Sequence, residues 1–273
     1  YTNSDGIPLK GVLYYPMGYK PASQYPMVVH IYGKQNHLGN RYPYPSCFES
    51  LGFNIRLLLE NGYFVYLPDI LTQGKAGPGI DALDCVNHAL DALARNPLID
   101  KSRTGLIGHS FGGYETSYIA TRSSRFAAYV SGSGHSDIIW AAHAFNYNFR
   151  FPDHVRIEAN VYKLGKPFSS DKGLYFKNNP LYHAEKVSAP VLLWSGLEDQ
   201  NVTSDHSMAF YNALRRTKKD VIALFYEGEG HSLQKQQNQV DLTTRILDWF
   251  GYFLKDETET QWIEKGIKRK DPP

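Results

Sequence analysis

The hexapeptide Gly108-His109-Ser110-Phe111-Gly112-Gly113 limits what this chain can fold into more than any other stretch. An apolar run, residues 104–107, precedes it, and a helix-compatible stretch, residues 114–121, follows. G-x-S-x-G between a strand and a helix is the pattern of a nucleophile elbow, a turn too tight for a Cβ on either side of its serine. Such a turn lifts the hydroxyl above the end of a sheet, within reach of a carbonyl carbon. Alone, the pattern also fits a glycine-rich turn with an incidental serine, so its partners elsewhere in the chain decide.

A serine hydroxyl is a weak nucleophile at neutral pH. It needs a histidine to take its proton and a carboxylate to orient that histidine. On an elbow scaffold the chain order is serine, acid, histidine. Downstream of Ser110, the buried-strand pattern Val191-Leu192-Leu193-Trp194-Ser195-Gly196 leads into Leu197-Glu198-Asp199-Gln200-Asn201-Val202. A second apolar run, residues 221–226, leads into Glu227-Gly228-Glu229-Gly230-His231-Ser232. Both loops follow strand C-terminal ends, where open α/β sheets place their sites. Of the ten histidines, His231 is the one that follows the acid candidates off a strand tip. His109, inside the elbow, cannot turn back onto its neighbour's Oγ in base geometry. The residues alone leave the acid open between Glu198 and Asp199, and they read Glu229 as a surface charge.

The rest of the chain alternates strand and helix patterns. Residues 10–15, 27–32, 63–67, 104–109, 127–130, 191–196 and 221–226 read as strands. Residues 79–96 read as a helix, with Ile80, Leu83, Val86, Leu90 and Leu93 at helical spacing and Asn96-Pro97 as its stop. Residues 236–254 form the closing helix, with Val240, Thr243, Leu247, Phe250 and Leu254 on one face. The alternation predicts an α/β protein, a mostly parallel sheet with helices on both faces. With the elbow, that is an α/β-hydrolase fold. Residues 132–190 are the least regular part and sit where such folds insert a cap or pocket wall. His135, His143 and His154 fall there without metal-ligand spacing, so no metal site is expected.

Taken together, Ile31-Tyr32-Gly33, the elbow through Tyr114, Asp199-Gln200-Asn201-Val202 and Gly230-His231 resemble the catalytic domain of prolyl oligopeptidase-type serine peptidases, the group that holds dipeptidyl and acylaminoacyl peptidases. The likeness runs from Asp5-Gly6 and Leu13-Tyr14-Tyr15-Pro16 to the closing helix. It implies a triad of Ser110, Asp199 and His231. Asp199 is chosen over Glu198 because the family's acid opens a D-x-x-V or D-D-N-V stretch, and the 32-residue step to His231 suits the family. The resemblance also implies an oxyanion site of the Tyr32 hydroxyl and the Phe111 backbone N–H. It makes Asn201 a donor to a substrate backbone carbonyl and Val202 a wall of the primary specificity pocket. The implied reaction is two-step acyl transfer on short peptides, without a cofactor. A carboxylesterase acting on acetyl or feruloyl esters is the alternative, since one triad serves both reactions. A non-catalytic binding domain is a third reading, against which the intact triad speaks. Asn201-Val202-Thr203 is also a glycosylation sequon; a glycan there would block the site, so it reads as accidental. One departure stands out: Asp69 is followed by Ile70-Leu71-Thr72-Gln73 where the family carries an Arg-Gly pair. That loop's substrate contacts therefore do not carry over.

With 273 residues, 42% of them hydrophobic, the chain can bury a full core as one domain over residues 1–273. A net charge of +2 gives no reason to expect nucleic acid, and Lys265, Lys268, Arg269 and Lys270 read as a solvated tail. No run of 18 apolar residues exists to span a membrane. Two cysteines, Cys47 and Cys85, make no disulfide framework, and their spacing leaves their pairing open. Homo-oligomerisation is equally open. The chain starts at Tyr1 without an initiator methionine or export signal and runs at once into the first strand. In the family it resembles, an N-terminal β-propeller filters substrates by size. The expectation is therefore the C-terminal catalytic domain of a longer, exported peptidase, periplasmic or extracellular.

Overall fold

Alternating apolar runs and amphipathic stretches fold into a wound sheet. The computed structural model describes residues 1–41, 43–73 and 76–266; Gly74, Lys75 and the tail residues Lys268, Arg269 and Lys270 lie outside them. Among the described residues the strands are β1 (Gly11–Tyr14), β2 (Tyr25–Ile31), β3 (Phe64–Pro68), β4 (Ile99–His109), β5 (Ala128–Gly132), β6 (Phe145–Asn146), β7 (Phe151–Pro152), β8 (Val191–Gly196) and β9 (Val221–Tyr226). The helices are α1 (Ile55–Glu60), α2 (Pro78–Ala92), α3 (Phe111–Ala120), α4 (Ile138–His143), α5 (Lys172–Lys177), α6 (Asp205–Arg216), α7 (Gln236–Lys255) and α8 (Gln261–Lys265). Seven strands form one sheet in the order β1-β3-β2-β4-β5-β8-β9. Only the edge pair β1–β3 runs antiparallel. The other pairs are parallel. This is the α/β-hydrolase fold expected from the sequence.

Side chains alternate across each strand, so both faces need cover. Met27, Val29, Ile31, Leu106 and Leu193 pack with α2, α3 and α6 on one side. Val28, Val65, Ile107, Val130 and Leu192 pack with α1 and α7 on the other. Two expected helix faces are rotated. In α2 the buried positions are Ala82, Cys85, Val86, Ala89 and Leu90, while Ile80 and Leu83 are only partly buried. Small side chains let that helix lie close to the sheet. In α7 the buried stripe is Leu242, Thr243, Ile246, Trp249, Phe250 and Leu254, and Val240 and Leu247 flank it. Cys47 and Cys85 are free thiols, with Cys85 in the core, so they do not pair.

The irregular stretch after β5 is not a detached cap. Ile138, Ala141, Ile157, Tyr162, Leu164 and Tyr175 bury themselves against Phe111 and Tyr114 at the start of α3. The β6–β7 hairpin reaches the elbow through Phe149 and Phe151, which line one cavity with Ser110, and is tied to the loop after β8 by the Asn146–Asn201 hydrogen bonds. Among the described residues, no helix is long and apolar enough to cross a membrane.

Candidate active site

Ser110 sits between β4 and α3 at φ 57°, ψ −117°, a backbone conformation that non-glycine residues rarely adopt. Its N–H donates to Gly132 O (2.8 Å), which ties the turn to the end of β5. The flanking glycines have concrete reasons. A Cβ on Gly112 would strike the carbonyl oxygen of Ile31, and one on Gly113 would strike that of Gly132. Without side chains there, α3 begins in contact with the ends of β2 and β5. This close approach places Tyr32, the residue after β2, beside the N-terminus of α3.

The three residues expected to form a triad are brought together. Ser110 Oγ lies 2.8 Å from His231 Nε2, and His231 Nδ1 lies 2.7 Å from Asp199 Oδ2. Asp199 is 4% exposed, whereas Glu198 is exposed, which separates the two acid candidates by position. The other Asp199 oxygen accepts the N–H groups of Asn201 (2.8 Å) and Val202 (3.0 Å), so its own loop aims the carboxylate. A carboxylate at Nδ1 keeps the proton on that nitrogen and leaves Nε2 free to accept from the serine. His109 points away from Ser110: its Nε2 lies 2.7 Å from His231 O, and its ring stacks on Trp194. Burial lowers its pKa to about 3, aided by the nearby His231. It is therefore a neutral N–H donor that holds the His231 backbone.

Glu229 corrects an expectation. It is 1% exposed, not a surface charge. Its carboxylate accepts the backbone N–H groups of Gln234 (2.7 Å) and Lys235 (3.0 Å) and the Asn238 amide (2.6 Å). Burial opposes ionisation, but these hydrogen bonds outweigh it and lower the pKa. Glu229 thus anchors the loop that carries His231 to the start of α7.

Tyr32 and Phe111 lie on one cavity with Ser110. Phe111 opens α3, and the first N–H groups of a helix have no intrahelical acceptor. The Tyr32 ring is half exposed, and partial desolvation raises its pKa further above the ordinary 10, so the hydroxyl keeps its proton. Asp69 fixes the chain beyond Tyr32: its carboxylate accepts the N–H groups of Gln35 (2.7 Å) and Asn36 (2.9 Å) and the Asn36 side chain (2.6 Å). The aspartate whose following sequence departs from the family pattern therefore braces the loop after Tyr32.

The cavity beside Ser110 measures about 270 Å³ and is walled by Phe149, Phe151, Val161, Tyr162 and Val202, with Asn201 and Arg156 as polar groups. Sequence reading missed Arg156 and its partner Asp153. A D-x-x-R spacing in an aromatic-rich stretch is no signal that the arginine meets Asn201, 45 residues on. His135, also on this cavity, is buried and bonded to the Tyr162 hydroxyl (2.6 Å). His143 and His154 lie apart from the site, the former near Ile139 O (2.7 Å) and the latter exposed.

With this geometry in hand, comparison with known proteins is direct. The family model for the prolyl oligopeptidase family matches residues 74–257, well over half of the chain. The chain belongs to the prolyl oligopeptidase family. Ser110, Asp199 and His231 all fall within the matched span, while Tyr32 lies before it. An uncharacterised peptidase of Bacillus subtilis, YuxL, is 24% identical over 93% of this chain. Dipeptidyl-peptidase 5 of Porphyromonas gingivalis is 22% identical over 88%. The chain spans 38% and 35% of those two proteins. The structure of Pyrococcus horikoshii acylaminoacyl peptidase superposes with a TM-score of 0.76 at 22% identity, over 98% of this chain and 43% of that one. This prolyl oligopeptidase family chain shares its fold with that structure.

Proposed function

We propose that this domain hydrolyses short peptides by acyl transfer through Ser110, His231 and Asp199. The observation that supports it most is the unbroken relay from Ser110 Oγ through His231 to buried Asp199 at the mouth of the cavity. His231 takes the serine proton as Oγ attacks the carbonyl carbon. The Tyr32 hydroxyl and Phe111 N–H stabilise the oxyanion. Collapse breaks the C–N bond, and the amine leaves with the proton held by His231. Water, deprotonated by the same histidine, then releases the acid and restores Ser110. Asp199 takes no proton from the histidine; its carboxylate offsets the imidazolium that forms.

The test is a panel of aminoacyl and dipeptidyl chromogenic amides run beside short-chain esters. Turnover of amides is expected; ester turnover with no amide turned over would overturn the reading. The expected upstream domain is checked on the open reading frame, where a start codon directly before Tyr1 ends that expectation.

Tyr32→Phe probes the oxyanion site, because it keeps the ring and removes one donor. Loss of such a donor lowers kcat by about 10²–10³. A change below about threefold would return Tyr32 to a packing role.

A further inference from the structure

Asn201 is wired into a network that leaves its amide no freedom. Its Oδ1 accepts from Arg156 Nη1 (2.6 Å) and from Asn146 Nδ2 (3.2 Å). Its backbone O accepts from Arg156 Nη2 (3.0 Å) and Asn146 Nδ2 (3.0 Å). A guanidinium can only donate, so the Asn201 atom facing it must be oxygen. Asn146 cannot flip either, since its own Oδ1 accepts the Phe149 N–H (2.8 Å). Arg156 is 8% exposed and is gripped by Asp153, with Nε to Oδ1 at 2.5 Å and Nη2 to Oδ2 at 2.7 Å. Asp153 is itself buried, so the ion pair is rigid and uncharged as a unit. With both oxygens of Asn201 occupied, its side-chain N–H₂ is what remains to meet a ligand in the cavity it lines.

We propose that Arg156, held by Asp153, is a positioning residue that locks Asn201 with its side-chain N–H₂ turned to the cavity, the orientation required by the donor role that the family resemblance implies. A peptidyl or N-acylaminoacyl group offers a carbonyl oxygen to that donor, and simple acyl groups gain nothing from Asn201. This rests on the proposed Ser110 acyl-transfer reading and adds how the acyl side is chosen. If Asn201 could rotate, its carbonyl would face the substrate oxygen half the time and repel it. Arg156 acts by removing that alternative and does not itself touch the acyl group.

A matched pair of boronic acids tests this on the intact chain. One is an N-acetylaminoalkyl boronic acid, and the other is the same alkyl boronic acid without the acetylamino group. Each competes with fluorophosphonate labelling of Ser110, and the readout is the ratio of the two inhibition constants, which general damage to the triad does not move. The wild-type chain is expected to favour the acetylamino compound. Asn201→Ala should cut that preference about tenfold, and Arg156→Lys about twofold, the loss for a donor turned to the ligand half the time. In the double variant Arg156→Lys adds no further loss, because its effect runs through Asn201. Additive losses would overturn the proposal, as they mean that Arg156 contacts the ligand or only supports the fold. Should Arg156→Lys fail to fold, Asn146→Ala leaves the Arg156–Asp153 pair whole and removes the second donor to Asn201. It should lower the preference in the same direction, and an unchanged ratio would overturn the proposal. If Ser110 takes up neither the fluorophosphonate nor a boronic acid in the wild type, it is the acyl-transfer reading that falls.

Discussion

Replacing Ser110 with alanine is expected to lower turnover by about 10⁶-fold and to abolish labelling by a fluorophosphonate. The size follows from the way the relay is built. Ser110 Oγ is the hydroxyl bonded to His231 Nε2, and the turn that presents it is packed so closely that a Cβ on Gly112 or Gly113 would strike backbone. His109, adjacent in sequence, cannot stand in as nucleophile or base while its Nε2 is committed to the His231 carbonyl. His231→Ala should lose nearly as much, and the pair together little more, because the residues act as a unit. Labelling that survives Ser110→Ala would show that the reactive nucleophile lies elsewhere.

Glu115→Gln is expected to stabilise the protein at alkaline pH and to leave it unchanged in acid. Glu115 is fully buried in α3, and neither carboxyl oxygen has a hydrogen-bond partner among the described residues. Burial holds its pKa well above the ordinary 4.5, so the folded protein keeps the proton. The unfolded chain loses it once the pH passes about 4.5. Between that point and the folded-state pKa, unfolding releases a proton, and stability falls with rising pH by about 1.4 kcal/mol per unit. Below 4.5 both states are protonated and the penalty is absent. Glutamine has the same shape and titrates in neither state. Melting temperatures of the two proteins should coincide near pH 4 and separate as the pH rises past 4.5 towards the folded-state pKa, with the glutamine variant higher. A gap that stays constant with pH would mean that Glu115 is ionised in the fold.

The elbow, the strand series and the order serine, acid, histidine were legible in the chain because they depend on local rules. A turn without room for a Cβ demands glycine, a parallel strand covered on both faces demands an unbroken apolar run, and loops at strand ends carry the polar groups. Those rules pointed to Ser110 and His231 before any coordinate and narrowed the acid to Glu198 or Asp199, between which the family resemblance chose; they also placed Tyr32 at the end of β2. They failed where a side chain's role depends on what arrives from far along the chain. Glu229 read as surface because its acceptors' donors come from the turn before α7, and its burial is invisible in Glu-Gly-Glu-Gly. Ile80 and Leu83 read as core because helical spacing gives a stripe but not which edge of it meets the sheet; small Ala82 and Ala89 decided that by allowing close approach. Arg156 carried no sequence signal at all. Its importance arises only when residues 132–190 fold over α3 and bring a buried ion pair against Asn201. Backbone geometry and hydrophobic pattern are properties of short segments, so the sequence by itself determined the sheet and the candidate nucleophile. Burial, charge pairing and the direction of an amide are properties of contacts between distant segments, and only the tertiary structure decided them.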